Sequence, residues 1–430
     1  MNTPESLPRN ADIVVIGGGI LGVSTAIFLN RMGRKVVLLE KGRIAGEQSS
    51  RNWGWIRKQG RDPRELPMMI ESARLWQRLA SECGEDIGFG VNGTTYLALN
   101  EAELAEREAW LASAEGFQLD TKLLSPAEVD ALLGLEGRRF KGALHTPSDM
   151  TAEPRLAAPA FARLAAAEGV TVVEGCAART VEMEGGRIKS VATERGEIQC
   201  EAAILSGGAW SRTFLENLGI YIPQLAVRAS AFRTSPLPEI HTGGFGATGA
   251  SLRRRPDGGY TVARSNAATF ELIPAAFRHL VPFMPVIKKR WKMLKIRGNS
   301  SFFGPLGHHR WTADDTSPFE AIRVFDPEPD MELLNTVRKT AMTFYPSLGE
   351  IDILEAWGGM IDVTPDEVPI IDEAPTVPGL WIATGLSGHG FGIGPGAGML
   401  AAELATGRTP SFDTTQFRLD RFKSGRKAAA

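Results

Sequence analysis

Apolar positions come in short blocks separated by glycine from the first residues of the chain. Asp12 to Ile16 closes on the β-branched run Ile13-Val14-Val15-Ile16, which predicts a strand buried on both faces. It runs into Gly17-Gly18-Gly19-Ile20-Leu21-Gly22. Val23 to Met32 then reads as a helix, with Gly33 where a C-terminal glycine would stop it. Lys35 to Glu40 is a second strand, so the chain starts on a βαβ unit.

Arg64 to Ser81 carries Leu66, Met69, Ile70, Ala73, Trp76 and Leu79 at helical spacing. Thr94 to Leu99 predicts a strand, Glu101 to Glu115 a charged helix, and Ala152 to Gly169 a helix capped near Thr151. Val170 to Val173 is a strand. Thr180 to Met183, Ile188 to Thr193 and the closing Ala202 to Leu205 read as strands of a meander turned at Gly185-Gly186 and Gly196. From about Pro223 to Glu355 the pattern changes to separated strands and helices with many prolines, with Ala226 to Thr234 and Gly259 to Arg264 as sheet strands. Leu380 to Thr384 is a late strand. A second glycine-rich loop follows it, then a helix from about Gly396 to Thr406; the tail from Ser424 to Ala430 is expected to fray.

The 430 residues allow two or three domains, and 43% hydrophobic with 23% charged residues fits a globular chain. With 48 Lys+Arg against 50 Asp+Glu, the net charge of −2 gives no global attraction to nucleic acid. The three cysteines, Cys83, Cys176 and Cys200, form no CxxC pair, so a reducing compartment is expected, and with no secretory signal at the start, the cytoplasm. The charge-free stretch from Ala374 to Ala402 is long enough to span a bilayer, but its prolines and glycines suit a strand–loop–helix better, so no transmembrane segment is expected. The 47 glycines, about 11% against roughly 7% on average, are the informative excess.

Two clusters hold many of them. Gly17-x-Gly19-x-x-Gly22 sits between a strand and a helix, and Glu40 ends the next strand. Gly17 permits the tight turn, Gly19 lets backbone approach a pyrophosphate, Gly22 allows close packing, and the helix N-terminus faces the phosphates. A carboxylate at Glu40 can accept ribose hydroxyls and would repel a 2′-phosphate, which disfavours NADP. The second cluster, Gly385 to Gly398, has seven glycines in fourteen residues and opens a helix some 360 residues later. A flavin uses such a feature: reduction places negative charge on the ring near N1 and O2, and exposed N–H groups stabilise it.

With these residues in place the sequence resembles the D-amino-acid oxidase superfamily of FAD-dependent amine and amino-acid oxidoreductases, of glycine oxidase, sarcosine oxidase and D-amino-acid dehydrogenase type. The carrying pieces are the N-terminal cradle; Ser49-Ser50-Arg51-Asn52-Trp53-Gly54; Ala203 to Trp210; Trp357-Gly358-Gly359 with Thr364-Pro365-Asp366; and Ser387-Gly388-His389-Gly390-Phe391. The resemblance implies an α/β chain, α+β overall, in which a Rossmann-like FAD-binding domain (residues 1–90, 142–228 and 355–430) is interleaved with an antiparallel-sheet substrate domain (91–141 and 229–354). It places FAD against Gly17, Gly19, Ile20, Leu21, Gly22, Glu40, Lys41, Ser49, Ser50, Arg51, Asn52, Gly54, Trp55, Ala178, Gly207, Gly208, Trp210, Gly388, His389, Gly390, Phe391, Gly392 and Ile393.

Departures from the family pattern shape the remaining expectations. The flavin-linking cysteine of sarcosine oxidases falls on Gly359, so FAD is expected to be noncovalent. The usual carboxylate anchors fall on Ile361 and Gly392, which leaves Arg57 and Lys58 as substrate candidates, Tyr260 beside them, and Asp362 as a receiver for a cationic amine. The lysine that promotes reaction with O2 falls on Thr261, with Arg264 able to supply charge instead; His389, Thr261 and Arg264 are therefore the catalytic candidates, and a dehydrogenase that passes electrons to a quinone or protein acceptor is favoured over an oxidase. His308 and His309 lack acids or cysteines at ligand spacing, so no metal is read. Lys288 to Arg297 has six basic residues in ten, a solvated helix face or a docking face for an acidic partner or a membrane surface. The expected reaction is oxidation of a C–N bond of an amine or amino acid by hydride transfer to flavin N5. The alternatives are hydroxy-acid or alcohol oxidation and a flavin-binding subunit of a larger electron-transfer complex.

Overall fold

The computed structural model describes residues 6–422 apart from 138, 266, 292, 293, 299–301, 303, 305 and 308. His308, the middle of the basic run at Lys292, and the tail from Ser424 to Ala430 lie outside the described residues.

Two sheets organise the chain. In chain order their strands are β1 (Ile13–Ile16), β2 (Val36–Leu39), β3 (Thr94–Ala98), β4 (Lys122–Leu124), β5 (Gly142–Thr146), β6 (Thr171–Val173), β7 (Ala202–Leu205), β8 (Leu225–Arg233), β9 (Gly244–Ala247), β10 (Ala250–Arg254), β11 (Tyr260–Ala263), β12 (Ala268–Glu271), β13 (Leu294–Arg297), β14 (Glu355–Val363), β15 (Ile370–Glu373) and β16 (Leu380–Thr384). The helices that matter for the site are α1 (Ile20–Arg31), α2 (Leu66–Glu82), α3 (Pro154–Ala167), α4 (Leu280–Arg290) and α5 (Gly390–Ala405).

The first sheet runs β15–β16–β7–β1–β2–β6. Its strands are parallel except β15, which lies antiparallel on the edge. The central strands β1, β2 and β7 are buried at every residue, as their continuous apolar runs require. One face carries α1, α2, α3 and α5 in a single core; the other is covered by the meander over residues 178–199 and the helix after β7. Because β1 and β16 are parallel and each runs straight into a helix, α1 and α5 start at the same edge of the sheet. They pack against one another so tightly that a Cβ on Gly398 would stand 2.8 Å from the Thr25 nitrogen.

The second sheet runs β13–β12–β8–β11–β10–β9–β3–β5–β4, with β14 paired to β8 along nine residues. It is mainly antiparallel, with parallel pairs at β9–β3 and β12–β13. Its own core lies between the sheet and the helix Met331–Phe344. The sheet draws in β5 and β14, so its share of the chain extends past residues 141 and 354. The reason is register: β14 offers Trp357, Gly359, Ile361 and Val363 opposite Ala231, Ala229, Val227 and Leu225, two strands matched residue for residue.

Other expectations shift. The last helix begins at Gly390, six residues before the expected Gly396, so most of the second glycine cluster is helix rather than loop. The basic run is not one helix face: Lys288 to Arg290 end α4, whereas Leu294 to Arg297 form β13, paired with β12. The helix at Pro154 has Glu153 as its N-cap residue instead of Thr151, which belongs to a short strand with Met150.

Candidate active site

The N-terminal cradle is built as its glycines demand. Gly17 has φ +114°, and a Cβ there would lie 2.5 Å from the Ser206 carbonyl oxygen. A Cβ on Gly22 would lie 1.9 Å from the Gly17 oxygen, so the helix can start only without a side chain at that position. Gly19 is different: its Cβ would meet only Ser49 Oγ, at 3.1 Å, leaving that side open to a ligand. The N-cap residue of α1 is Gly19, which has no side chain to cap it, and the first turn has no acid. Ser49 Oγ accepts the Ile20 N–H at 2.9 Å. Glu40 accepts the amides of Gly18 (2.7 Å) and Gly42 (2.8 Å), which fixes its carboxylate beside the cradle; burial pushes its pKa up to about 7. Cys176 N–H donates to the Glu40 carbonyl, which brings Ala178 close by.

A frame around Glu47 locks the next segment. Glu47 takes the Lys41 ammonium at 2.7 Å and the Trp210 indole N–H at 2.9 Å, and Lys41 also lies 4.3 Å from the centre of the Trp210 ring. Ser50 Oγ donates to the Glu47 carbonyl. Arg51 donates to the Phe325 carbonyl and pairs with Asp326 at 3.0 Å, and Trp357 donates to the Arg51 carbonyl. Asn52 closes the turn by accepting the Gly54 amide. Gly207 and Gly208 follow β7, and the Gly208 carbonyl accepts Gln224 and Thr384.

The second glycine cluster meets this frame from the other side. α5 also lacks a side-chain cap and has no acid in its first turn. Its opening turn is held by Ser72 and Trp76 of α2, which both donate to the Gly392 carbonyl. The preceding loop is pinned by Asp362, whose Oδ2 accepts the amides of Gly385 (2.7 Å) and Leu386 (3.2 Å), Gln224 Nε2 (3.2 Å) and the Thr384 hydroxyl (3.4 Å). A buried carboxylate with four donors supports a loop; Asp362 does not face the cavity as the expected amine receiver would.

Between the start of α5 and the second sheet lies a cavity of about 900 Å³. Its floor is one row of residues across the sheet: Ala231, Ser251, Gly246, Tyr96 and Leu144, with Ala263 registered between Ala231 and Ser251. Gln48, Arg51, Asn52, Gly359 and His389 form the wall toward the flavin loop, and the apolar side of α4 closes the far end. Gln48 Oε1 and the Trp55 indole nitrogen are buried without partners, which suits a polar heterocycle between them. The site fits FAD: an open Gly19, two helix starts with no acid in the first turn and unmet polar groups along one wall.

His389 lines this cavity, with Nδ1 3.1 Å from Glu65 Oε2; Glu65 is fully buried. Burial and the Arg61 charge hold the imidazole below the ordinary histidine pKa, with Glu65 opposing them, so it is neutral at neutral pH. Arg57 and Arg264 also line the cavity. Lys58 does not: it is buried, ion-paired to Asp149 at 3.3 Å and bonded to the Ser148 carbonyl. Tyr260 is packed in the sheet's own core, its hydroxyl donating to Pro238. Thr261 does not line the cavity either; its hydroxyl accepts Arg253 and Arg255. Alternation along β11 explains Tyr260, which points with Val262 into the sheet's own core; Thr261 shares the face of Ala263 but stands opposite Arg253, outside the cavity and covered by the two arginines. No cysteine lines the cavity, and a Cβ on Gly359 would meet Gln48 Oε1 at 2.5 Å. Among the described residues no cluster of three or more His, Cys, Asp or Glu could hold a metal.

Sequence reasoning missed Gln48, Arg61, Glu65, Tyr96 and Arg107. Arg61 is 2% exposed, and a Cβ on Gly392 would lie 3.5 Å from its Nη2. A guanidinium thus stands beside the position where sarcosine oxidases place a lysine. The Arg-Lys-Gln-Gly-Arg run from Arg57 to Arg61 was the signal available.

These features define a flavin-dependent oxidoreductase, and comparison with known proteins gives the same class. The profile of the FAD dependent oxidoreductase family matches residues 12–404, and the chain belongs to that family. FAD is its cofactor. The structure of L-amino acid deaminase from Proteus myxofaciens, in complex with anthranilate, superposes with a TM-score of 0.93 at 32% identity, covering 99% of this chain and 96% of that one. Glycine oxidase of Pseudomonas aeruginosa is 25% identical over 94% of this chain and 97% of its own length. Mitochondrial sarcosine dehydrogenase of Mus musculus is 24% identical over 97% of this chain, which spans only 42% of the length of that relative.

Proposed function

We propose that the protein oxidises the C–N bond of an amino acid and hands the electrons to a membrane-borne acceptor. When bound, FAD supplies the hydride acceptor. The protein's residues do the rest. A guanidinium in the cavity holds the substrate carboxylate, as a planar two-pronged donor can. The neutral His389 imidazole takes the proton that the substrate ammonium must lose before its nitrogen can push out the α-hydride. The imine product adds water and releases ammonia. The observation that carries this reading is the pairing, in one cavity, of His389, held by Glu65, with Arg57 and Arg264, which have no carboxylate partner among the described residues. Anaerobic mixing of the purified flavoprotein with a panel of amino acids, simple amines and hydroxy acids tests it. Bleaching of the flavin by amino acids alone is expected; bleaching only by hydroxy acids overturns it, and no bleaching at all favours an electron-transfer subunit.

The acceptor half rests on the cavity mouth. Phe277, Leu280 and Ile296 line the cavity yet are 64%, 48% and 57% exposed, and Val281 and Trp291 beside them are 80% and 64% exposed. Lys288 and Lys289 flank this apolar rim at the end of α4. An apolar rim with cations fits the boundary of an anionic membrane, where a quinone is dissolved. No helix of the described residues is long and apolar enough to cross a membrane. Reduced enzyme that reoxidises faster with air than with a short-chain quinone would count against this acceptor.

A further inference from the structure

The arginines of the cavity outnumber what one carboxylate needs. Arg57 and Arg107 both lie over the Tyr96 ring, their guanidinium carbons 5.1 and 5.6 Å from its centre. Arg61 stands beside them, buried, its Nε donating to the Arg57 carbonyl at 3.2 Å and its Nη1 without a hydrogen-bond partner. Arg107 Nε is likewise unpartnered. Among the described residues none of the three has a carboxylate within hydrogen-bond distance. The nearest acid is Glu106, 3.9 Å from Arg107 on a side chain 75% exposed. Glu65 is engaged with His389, and Asp149 with Lys58. Three cations around one ring, with only the long and exposed Glu106 contact to offset them and with Arg61 buried, are costly unless an anion arrives, because burial removes the water that would screen them.

A second cationic pole lies along the same floor. Arg264 follows Ala263 at the end of β11 and lines the cavity, and no hydrogen bond or ion pair engages it among the described residues. Ala263 and Tyr96 are three strand steps apart through β10 and β9, about 14 Å at strand spacing. The other arginines on the wall are accounted for: Arg51 is paired with Asp326, and Arg290 with Glu367.

Resting on the amino-acid reading above, we infer that the substrate carries two carboxylates, one received by Arg57, Arg61 and Arg107 and the other by Arg264: it is a dicarboxylic amino acid. A neutral amino acid would leave one pole unmet.

The test separates binding from turnover. Saturated dicarboxylates from malonate to adipate, and monocarboxylates of the same chain lengths, are titrated into the oxidised holoenzyme, with perturbation of the flavin absorbance as readout. At one chain length the dicarboxylate is expected to bind about ten- to a hundredfold tighter than its monocarboxylate, the worth of one charge-assisted contact. Arg107→Gln, at the half-buried member of the cluster, and Arg264→Gln should each reduce the dicarboxylate to monocarboxylate affinity; both are checked for native flavin content. In flavin reduction, aspartate or glutamate should outperform asparagine and glutamine. Equal binding of the two acid series, or a preference that survives both variants, overturns the inference while leaving amino-acid oxidation standing. Tight dicarboxylate binding with no bleaching by any amino acid would instead keep the two anion poles and remove the reaction.

Discussion

Glu65→Gln is the sharpest probe of how the site handles a proton. The variant keeps the size of the side chain and can still present an oxygen to His389 Nδ1–H, so the tautomer with its free nitrogen toward the cavity is retained. What it removes is a carboxylate 3.1 Å away that favours the protonated ring. In the native protein two influences compete: burial and the Arg61 charge push the histidine pKa down, and Glu65 pushes it up. A charge-assisted hydrogen bond of this kind is worth about 1.5–3 kcal/mol, and one pH unit corresponds to 1.36 kcal/mol, so losing it should lower the histidine pKa by about one to two units. The imidazole accepts a proton only while neutral, and the rate falls as pH drops through its pKa. The acid limb of the flavin-reduction rate should therefore move to lower pH by that amount, with the plateau at neutral pH reduced far less. The assay is anaerobic stopped-flow at saturating substrate between about pH 4 and pH 8 on the native enzyme, E65Q and H389Q. H389Q should lose the limb altogether. A limb that stays in place in E65Q, or moves upward, would refute the idea that His389 takes the proton.

Three further outcomes follow from the geometry. Gly19→Val should fold yet lose its flavin, since the new side chain meets only Ser49 Oγ in the protein but fills the pyrophosphate's space; the flavin-to-protein absorbance ratio reads this, and normal flavin content would remove the cradle from the account. Acid precipitation should release all FAD into the supernatant, because Gly359 stands where a linking cysteine would be and no cysteine lines the cavity; yellow colour retained in the pellet would contradict it. His279, whose pKa burial lowers to about 4, and the half-buried His145 and His241, lowered in the same direction, each bind a proton more readily unfolded than folded. Stability should therefore fall as pH drops from about 6.5 toward 4, and His279→Gln should flatten that slope in urea titrations at stepped pH; an unchanged slope would rule that histidine out as a contributor.

Legibility in the sequence tracked how local the physics is. The βαβ start was readable because strand, turn, helix and acid are consecutive, and each glycine there has a steric reason within the same segment. The start of α5 was misjudged by six residues because glycine and proline look like loop. In fact Gly394, Gly396 and Gly398 lie inside a helix, where their missing side chains let it pass close to Ile20, Met68 and Thr25. That cause is a contact with residues hundreds of positions away. The substrate side was the least legible. Which face of β11 Tyr260 takes depends on strand register, and a shift of one residue exchanges the two faces; Thr261, on the same face as Ala263, is covered instead by Arg253 and Arg255. Lys58 was plausible as an anchor until Asp149, a residue of no visible pattern, proved to neutralise it.

The two glycine clusters are one device. β1 and β16 are separated in the sheet only by β7, and all three run parallel. A helix that follows a parallel strand returns over the sheet with its N-terminus at the strand's C-terminal edge, where ligands of such sheets bind. Two such helices from nearby strands must therefore aim their positive ends at the same region. Packing Gly398 against α1 brings them closer than side chains would permit. Neither first turn holds an acid, and apart from Ser49 Oγ on the Ile20 amide neither start has a capping side chain. The consequence is an edge with two unspent dipoles side by side, one placed for a pyrophosphate and one for the charge that a flavin ring gains on reduction. Substituting Gly398 by Leu would force α1 and α5 apart. Overpacking of this kind costs about 1–3 kcal/mol, and it should also loosen the flavin, because the second helix start would be displaced from the first. Thermal unfolding and flavin retention measured on the same preparation should fall together. If stability falls while the flavin is held as tightly as before, the two helix ends act independently and the device is only a packing motif.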